Sequence, residues 1–239
     1  MSNWFLITSA INVDYGIYTL QQKFEQTCGT IESIRKYCSD AKIILLEGSP
    51  KKPKENVYNH LREITDMYID FSNDGVVQSM HRDLNTFAIK SPGEAYILGS
   101  FLSAQNFIKE TDRVFKISGR YLLDENFDRE FHESQKGKIV FLKKEPYTQY
   151  YSVETGTKME PIAPFQYKTR LYSFCGSLSK YFAQVCFDTL NFFRKNYGVD
   201  FFSDIEHAMY RFVNHDLVVE TNVIGVTGYS ADRDFKPKE

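Results

Sequence analysis

The apolar run Val114, Phe115 and Ile117 breaks at Ser118-Gly119 and is followed at once by Arg120-Tyr121. Such a run reads as a buried strand. In an α/β sheet, ligands bind in the crevice beyond the carboxyl ends of the strands. A small, permissive pair followed by a fixed guanidinium suits an anionic ligand that approaches the backbone. A strand that ends in a turn with a surface arginine accounts for the same residues, so the surrounding elements have to decide.

Three other stretches put polar groups where elements begin or end. Trp4 to Ala10 is apolar until it closes on Thr8, Ser9 and Ala10, the pattern of a buried parallel strand opening onto a crevice. Lys42 to Leu46 is a second buried strand, ended by Glu47-Gly48-Ser49-Pro50. Glu47 is placed either to accept hydrogen bonds from a ribose or base or to serve as a solvated turn acid. Ser91-Pro92-Gly93-Glu94 has the form of a helix start, with Ser91 as N-cap, Pro92 first in the helix and Glu94 closing a capping box. With Lys90 beside it, that amino end faces a phosphate or is plain capping.

The elements that must position these groups follow from periodicity. Leu20, Phe24, Thr27, Ile31, Ile34 and Cys38 recur at helical spacing, so the first fifty residues form a βαβ unit and imply a parallel sheet with a right-handed crossover. Asn56 to Ile64 reads as a short helix and Met67 to Phe71 as a third strand. Ser72 to Lys90 is polar and weakly periodic, which predicts a long loop or lid. Ile97, Phe101, Ala104 and Ile108 give the next helix its buried face. Lys138 to Leu142 and Tyr167 to Phe174 are further strands, separated by an aromatic excursion, Pro146 to Gln166. Leu178 to Phe193 and Ser203 to Val213 are helices, and Leu217 to Val219 and Val223 to Val226 finish the sheet. The tail from Ser230 is charged and expected to be loose.

Composition narrows the classes. The 239 residues are 42% hydrophobic and 25% charged, ordinary for a soluble globular domain. Aromatics reach 15%, with 20 Phe and 16 Tyr, enough to line a cleft as well as a core. A net charge of −2 gives no basic footprint for nucleic acid. No apolar stretch approaches the ~20 residues of a membrane span. Four scattered cysteines without a C-x-x-C fit a reducing compartment, and a cytoplasmic location is expected. No linker divides the chain, so one domain is expected.

In their order, four stretches resemble nucleotide-sugar glycosyltransferases of the GT-A fold over roughly residues 4 to 226. Thr8-Ser9-Ala10 looks like the site that meets the nucleotide. Gln26-Thr27 through Thr30-Ile31-Glu32-Ser33-Ile34 is similar to the family's first helix. Lys90 to Ala95, and then Phe115 to Tyr121, look like the approach to the donor-diphosphate strand. Ser203 to Tyr210 resembles the late acidic helix that carries a catalytic carboxylate. The resemblance implies an α/β fold: a single Rossmann-like domain with a mostly parallel central sheet flanked by helices. It further implies a donor-nucleotide half over about residues 1–123, an acceptor half over about 124–229, and a nucleotide-sugar donor with a glycan or other hydroxyl acceptor as partners.

One departure matters. The family's metal-dependent members carry Asp-x-Asp at the tip of that strand, where this chain has Ser118-Gly119-Arg120. Without two carboxylates a hard cation has poor ligands there. Arg120 would neutralise a diphosphate by bidentate hydrogen bonds instead, and no metal or other cofactor is expected, although Asp124 and Asp128 stand near enough in sequence to reach a cation. The donor set implied is Thr8, Ser9, Ala10, Glu47, Lys90, Gly93, Ser118, Gly119, Arg120 and Tyr121. Glu206 is the candidate base and Asp204 the second choice, with a Ser203–Glu206 capping box as the rival account of the glutamate. Arg170, Tyr172 and His207 are the acceptor-side candidates. For the strand pair Arg170 and Tyr172, a cross-strand structural role explains the residues equally well.

Overall fold

The computed structural model describes residues 1–14, 16–83, 86–146, 150–151, 158–159, 162–196 and 204–229. Its centre is a seven-stranded sheet. The strands of that sheet are β1 (Asn3–Ser9), β2 (Lys42–Glu47), β3 (Met67–Asp70), β4 (Arg113–Ser118), β6 (Ile139–Leu142), β7 (Leu171–Cys175) and β8 (Val218–Thr221). Their spatial order is β8-β6-β7-β4-β1-β2-β3, which puts β4 in the middle. All neighbours are parallel except β7, which runs against both β4 and β6. Two shorter strands, β5 (Tyr121–Leu123) and β9 (Val226–Gly228), pair antiparallel outside this sheet.

Helices cover both faces, which is why the inner strands read as unbroken apolar runs. On one face, Phe5, Ile7, Ile43, Leu45, Phe115 and Ile117 pack against α1 (Leu20–Tyr37) and α2 (Glu55–Ile64). On the other, Leu6, Ile44, Leu46 and Val114 pack against α3 (Gly75–Asp83), α4 (Thr86–Ala104), α6 (Ser179–Asn196) and α7 (Ile205–Phe212). A short helix, α5 (Arg129–Ser134), precedes β6. The face swaps at each residue of β1 (Phe5, Leu6, Ile7), as the two-residue period of a strand requires. Each fully buried Ile or Phe of this kind contributes about 1.5–3 kcal/mol. Helix α1 begins with a reciprocal Thr19–Gln22 capping box and turns Ile31 and Ile34 inward.

Three expectations about elements need correction. The stretch 72–90 is not a lid: α3 spans Gly75–Asp83, with Val77 and Met80 three residues apart on the core, and α4 has begun by Thr86. Ser91-Pro92-Gly93-Glu94 therefore lies inside α4 rather than at its start, with Pro92 an interior residue, and Lys90 occupies no helix end. The Ser91 hydroxyl instead accepts the Ile205 amide of α7 at 3.0 Å, capping a different helix. Val226–Gly228 does not finish the main sheet but pairs with Tyr121–Leu123, tying this late segment to the residues just after β4. Most of the excursion between Pro146 and Gln166, Ser203, and the tail from residue 230 lie outside the described residues.

Candidate functional site

The tips of β1, β4 and the turn after β2 are stitched together by backbone. Gly119 N donates to Thr8 O at 2.9 Å, and Gly48 N donates to Ser9 O at 2.8 Å. A Cβ on Gly119 would come within 3.1 Å of Thr27 Oγ1 and 3.3 Å of Ser9 Cβ, so a side chain here would press β4 away from α1 and β1. The small polar face of α1 holds the same turn. Thr27 Oγ1 donates to Gly119 O at 3.2 Å, and Ser33 Oγ accepts Leu123 N at 3.0 Å.

Beyond these tips opens a crevice. Thr8, Ser9, Ala10, Ser118, Gly119 and Arg120 form its base and one wall, with Lys23 and Thr27 of α1 and Tyr18 from the preceding loop. The opposite wall is His81 of α3 with Gly93, Glu94 and Ile97 of α4. Seven of the residues anticipated as donor-binding thus line one cavity: Thr8, Ser9, Ala10, Gly93, Ser118, Gly119 and Arg120. Arg120 is partly buried and its Nε has no hydrogen-bond partner among the described residues. Lys23 Nζ donates to Val13 O at 2.9 Å and adds a second cation beside it. Burial pulls the His81 imidazole below its ordinary range, against a hydrogen bond to the Gly48 backbone that raises it.

Beneath the crevice lies a group of buried charges. Lys116 is 0% exposed, and its ammonium reaches Ser118 Oγ and Thr169 O, each at 2.8 Å, and the Glu94 carboxylate. Three N–H donors meet three acceptors, which is what a buried lysine requires. The Thr169 hydroxyl in turn donates to Glu206 Oε1 at 2.9 Å. Burial, then the nearby Asp204 and Glu94 carboxylates, push the Glu206 pKa up to about 7.

Other anticipated residues stand elsewhere, each for a physical reason. Glu47 is 0% exposed and held by its surroundings: Ser9 Oγ, Ser49 Oγ, Ile11 N at 3.0 Å and Ser49 N at 3.1 Å all donate to it. Burial raises its pKa against those bonds, and with no exposed surface it meets no ribose; it braces the loop after β1. Tyr121 is buried, with the Arg170 guanidinium 5.5 Å from its ring centre. Tyr172 is 1% exposed among Phe141 and Phe182, a core residue rather than an acceptor contact. His207 is 0% exposed and pairs through Nδ1 with Asp204 Oδ1 at 2.6 Å, so it meets no acceptor from the surface. Asp204, not Ser203, caps α7, accepting the His207 amide at 2.9 Å, and that commitment argues against its use as a base. Glu206 is not among the residues lining the crevice, although the Glu94 carboxylate is near enough to act on it. The Lys90 side chain lies outside the described residues.

The described residues hold no group of three or more His, Cys, Asp or Glu able to hold a metal. Asp128 caps α5 through Phe131 N at 2.9 Å, and Asp124 accepts Asn126 N at 2.9 Å; neither lines the crevice. No described helix is long and apolar enough to cross a membrane. The sequence reading passed over Lys116, Lys23 and His81, and took Glu94 for a capping residue. One signal was available: a lysine inside V-F-K-I, since lysine is almost never buried unless paired.

The sequence matches no protein-family model and no curated protein. Among solved structures, the galactosyltransferase LgtC in complex with donor and acceptor sugar analogs is similar at a TM-score of 0.52 and 10% identity, over 91% of this chain and 72% of that one. The 2-C-methyl-D-erythritol 4-phosphate cytidylyltransferase IspD of Francisella tularensis has a TM-score of 0.48 at 12% identity, over 92% and 90%. Mouse xyloside xylosyltransferase 1 in its apo form has 0.48 at 10%, over 92% and 84%. The LgtC likeness establishes the fold: a single α/β domain of the Rossmann-like GT-A kind, with a mostly parallel sheet flanked by helices.

Proposed function

We propose that the chain is a glycosyltransferase that moves a sugar from a nucleotide donor to a hydroxyl of a glycan or similar acceptor, without a metal ion. The observation that carries this reading is the Arg120 guanidinium in the crevice wall, its buried Nε lacking any partner among the described residues. The rest of the guanidinium, at the crevice wall, is the part that an anionic ligand would meet. Arg120 binds the donor diphosphate and Lys23 adds charge beside it, so the leaving group is stabilised as its bond to the sugar breaks. The loss of the acceptor hydroxyl proton is assigned to Glu206, whose pKa of about 7 suits a base at neutral pH. Four free cysteines support a reducing, cytoplasmic setting.

The test is a thermal-shift panel of nucleoside diphosphates and nucleotide sugars, with EDTA and with manganese, followed by an assay for nucleoside diphosphate release. At least one nucleotide should raise the Tm in EDTA, and Arg120→Ala should abolish that rise at little cost to the unliganded Tm. Silence across the whole panel would refute the reading. A second reading is a binding module on the same fold without turnover, favoured by the fact that Glu206 does not line the crevice. Nucleotide binding with no release of diphosphate under any condition would select it.

A further inference from the structure

The crevice is not uniform in charge. Arg120 and Lys23 stand on the side of β4 and α1, whereas Glu94 projects from α4 on the opposite wall. Glu94 is 22% exposed at its side chain, so it is open to the crevice while it contacts Lys116. An anionic phosphate is attracted to the first wall and repelled by the second. Of the parts of a nucleotide sugar, a neutral group that brings hydrogen-bond donors suits Glu94, because a carboxylate accepts.

A sugar has that chemistry. We propose that Glu94 is the specificity-determining carboxylate of this site, accepting hydrogen bonds from hydroxyls of the sugar portion of the donor, and that Lys116 is the residue that positions it. This rests on the nucleotide-sugar reading above. Lys116 is suited to the task because it has no freedom: Ser118 Oγ and Thr169 O fix the ammonium at 2.8 Å each, leaving its third donor for Glu94. The same ammonium lies against the Glu94 carboxylate, so the pair shares its charge at the crevice wall. Ser118 Oγ, which accepts from Lys116, keeps its own O–H to offer elsewhere. The sugar wall and the phosphate wall are thus joined through one side chain on β4.

The experiment compares two ligands that differ only by the sugar. Wild-type protein, Glu94→Gln and Glu94→Asp are titrated with UDP, GDP and CDP and with UDP-glucose, UDP-galactose, UDP-N-acetylglucosamine and GDP-mannose, with unliganded melts of each variant as the folding control. Wild type should bind one nucleotide sugar more tightly than the matching diphosphate. Both variants should bind the diphosphate as wild type does and lose that increment, about ten-fold or more in affinity for one charge-assisted hydrogen bond. Equal binding of sugar and diphosphate forms by wild type would overturn the proposal, as would variants that keep the increment. A parallel loss for the bare diphosphate would also overturn it, by placing Glu94 against the nucleoside. No binding of any probe to wild type would instead defeat the nucleotide-sugar reading itself, and this proposal with it.

Discussion

Strand β4 carries two buried cations, one at its start and one nearer its tip, and they are satisfied in different ways. At its start, Arg113 is 2% exposed and donates to Ser173 Oγ and to the carbonyls of Gln135 and Lys138, partners that are all neutral. Ser173 also meets His132 Nδ1 at 2.7 Å, and Phe127 stacks on that imidazole. Three residues later, Lys116 faces a carboxylate that is itself open to a crevice. A cation closed off by fixed dipoles has nothing to offer a ligand. A cation that holds a carboxylate at a cavity wall passes its order on to whatever binds there.

The largest expected effect lies at the closed end. Arg113→Met should lower stability by about 3 kcal/mol or more, because several buried acceptors lose their donor at once. Denaturant unfolding measures it, and a cost under 1 kcal/mol would break the contrast between the two ends.

The pH dependence of the two ends should have opposite sign. Burial, with Arg113 nearby, depresses His132 from 6.5 to about 3, so below pH 6.5 the unfolded chain takes up a proton that the fold refuses, and stability falls with pH until about 3. Glu206 is raised from 4.5 to about 7, so its contribution to stability is fully present below 4.5 and is lost as the pH rises through 7. In melts from pH 4 to 8, His132→Leu should blunt the acid-side loss, and Glu206→Gln should raise the Tm at pH 8 more than at pH 5. The same pH dependence in both variants would show that the two groups do not titrate as their surroundings dictate.

The smallest effect sharpens the comparison within the crevice. Gly93 and Gly119 both line it, yet a Cβ on Gly93 meets nothing within 4 Å, whereas one on Gly119 meets α1 and β1. Gly93→Ala should therefore stabilise by about 0.5–1 kcal/mol through helix propensity alone, read as a rise in Tm. Gly119→Ala should lower it.

Much of the architecture was legible because continuous apolar runs and helical spacing are local. Trp4 to Ile7, Lys42 to Leu46 and Val114 to Ile117 announce strands covered on both faces, and Leu20 to Ile34 announces the helix that crosses between the first two. The crevice at their carboxyl ends follows from parallel topology, which is why Ser9 and Arg120 could be grouped across more than a hundred residues. The helix over 75–83 was missed because its core contact is little more than Val77 and Met80, too few to show a period. Ser91-Pro92-Gly93-Glu94 misled because a helix whose residues Ala95, Leu98 and Leu102 are all buried can carry an interior proline.

The types and order of these residues determined an α/β sheet with glycine and arginine at the tip of its middle strand, since apolar periodicity and chain chirality leave few other arrangements. Only the tertiary structure decided which polar side chains face the cavity. On a sheet buried on both sides, alternation cannot distinguish core from cleft, so Tyr172 went inward, Glu47 spent its oxygens on its own loop, and Lys116 found Glu94 from a helix distant in sequence. Burial and long-range pairing set those outcomes, and neither is encoded within a window of neighbouring residues.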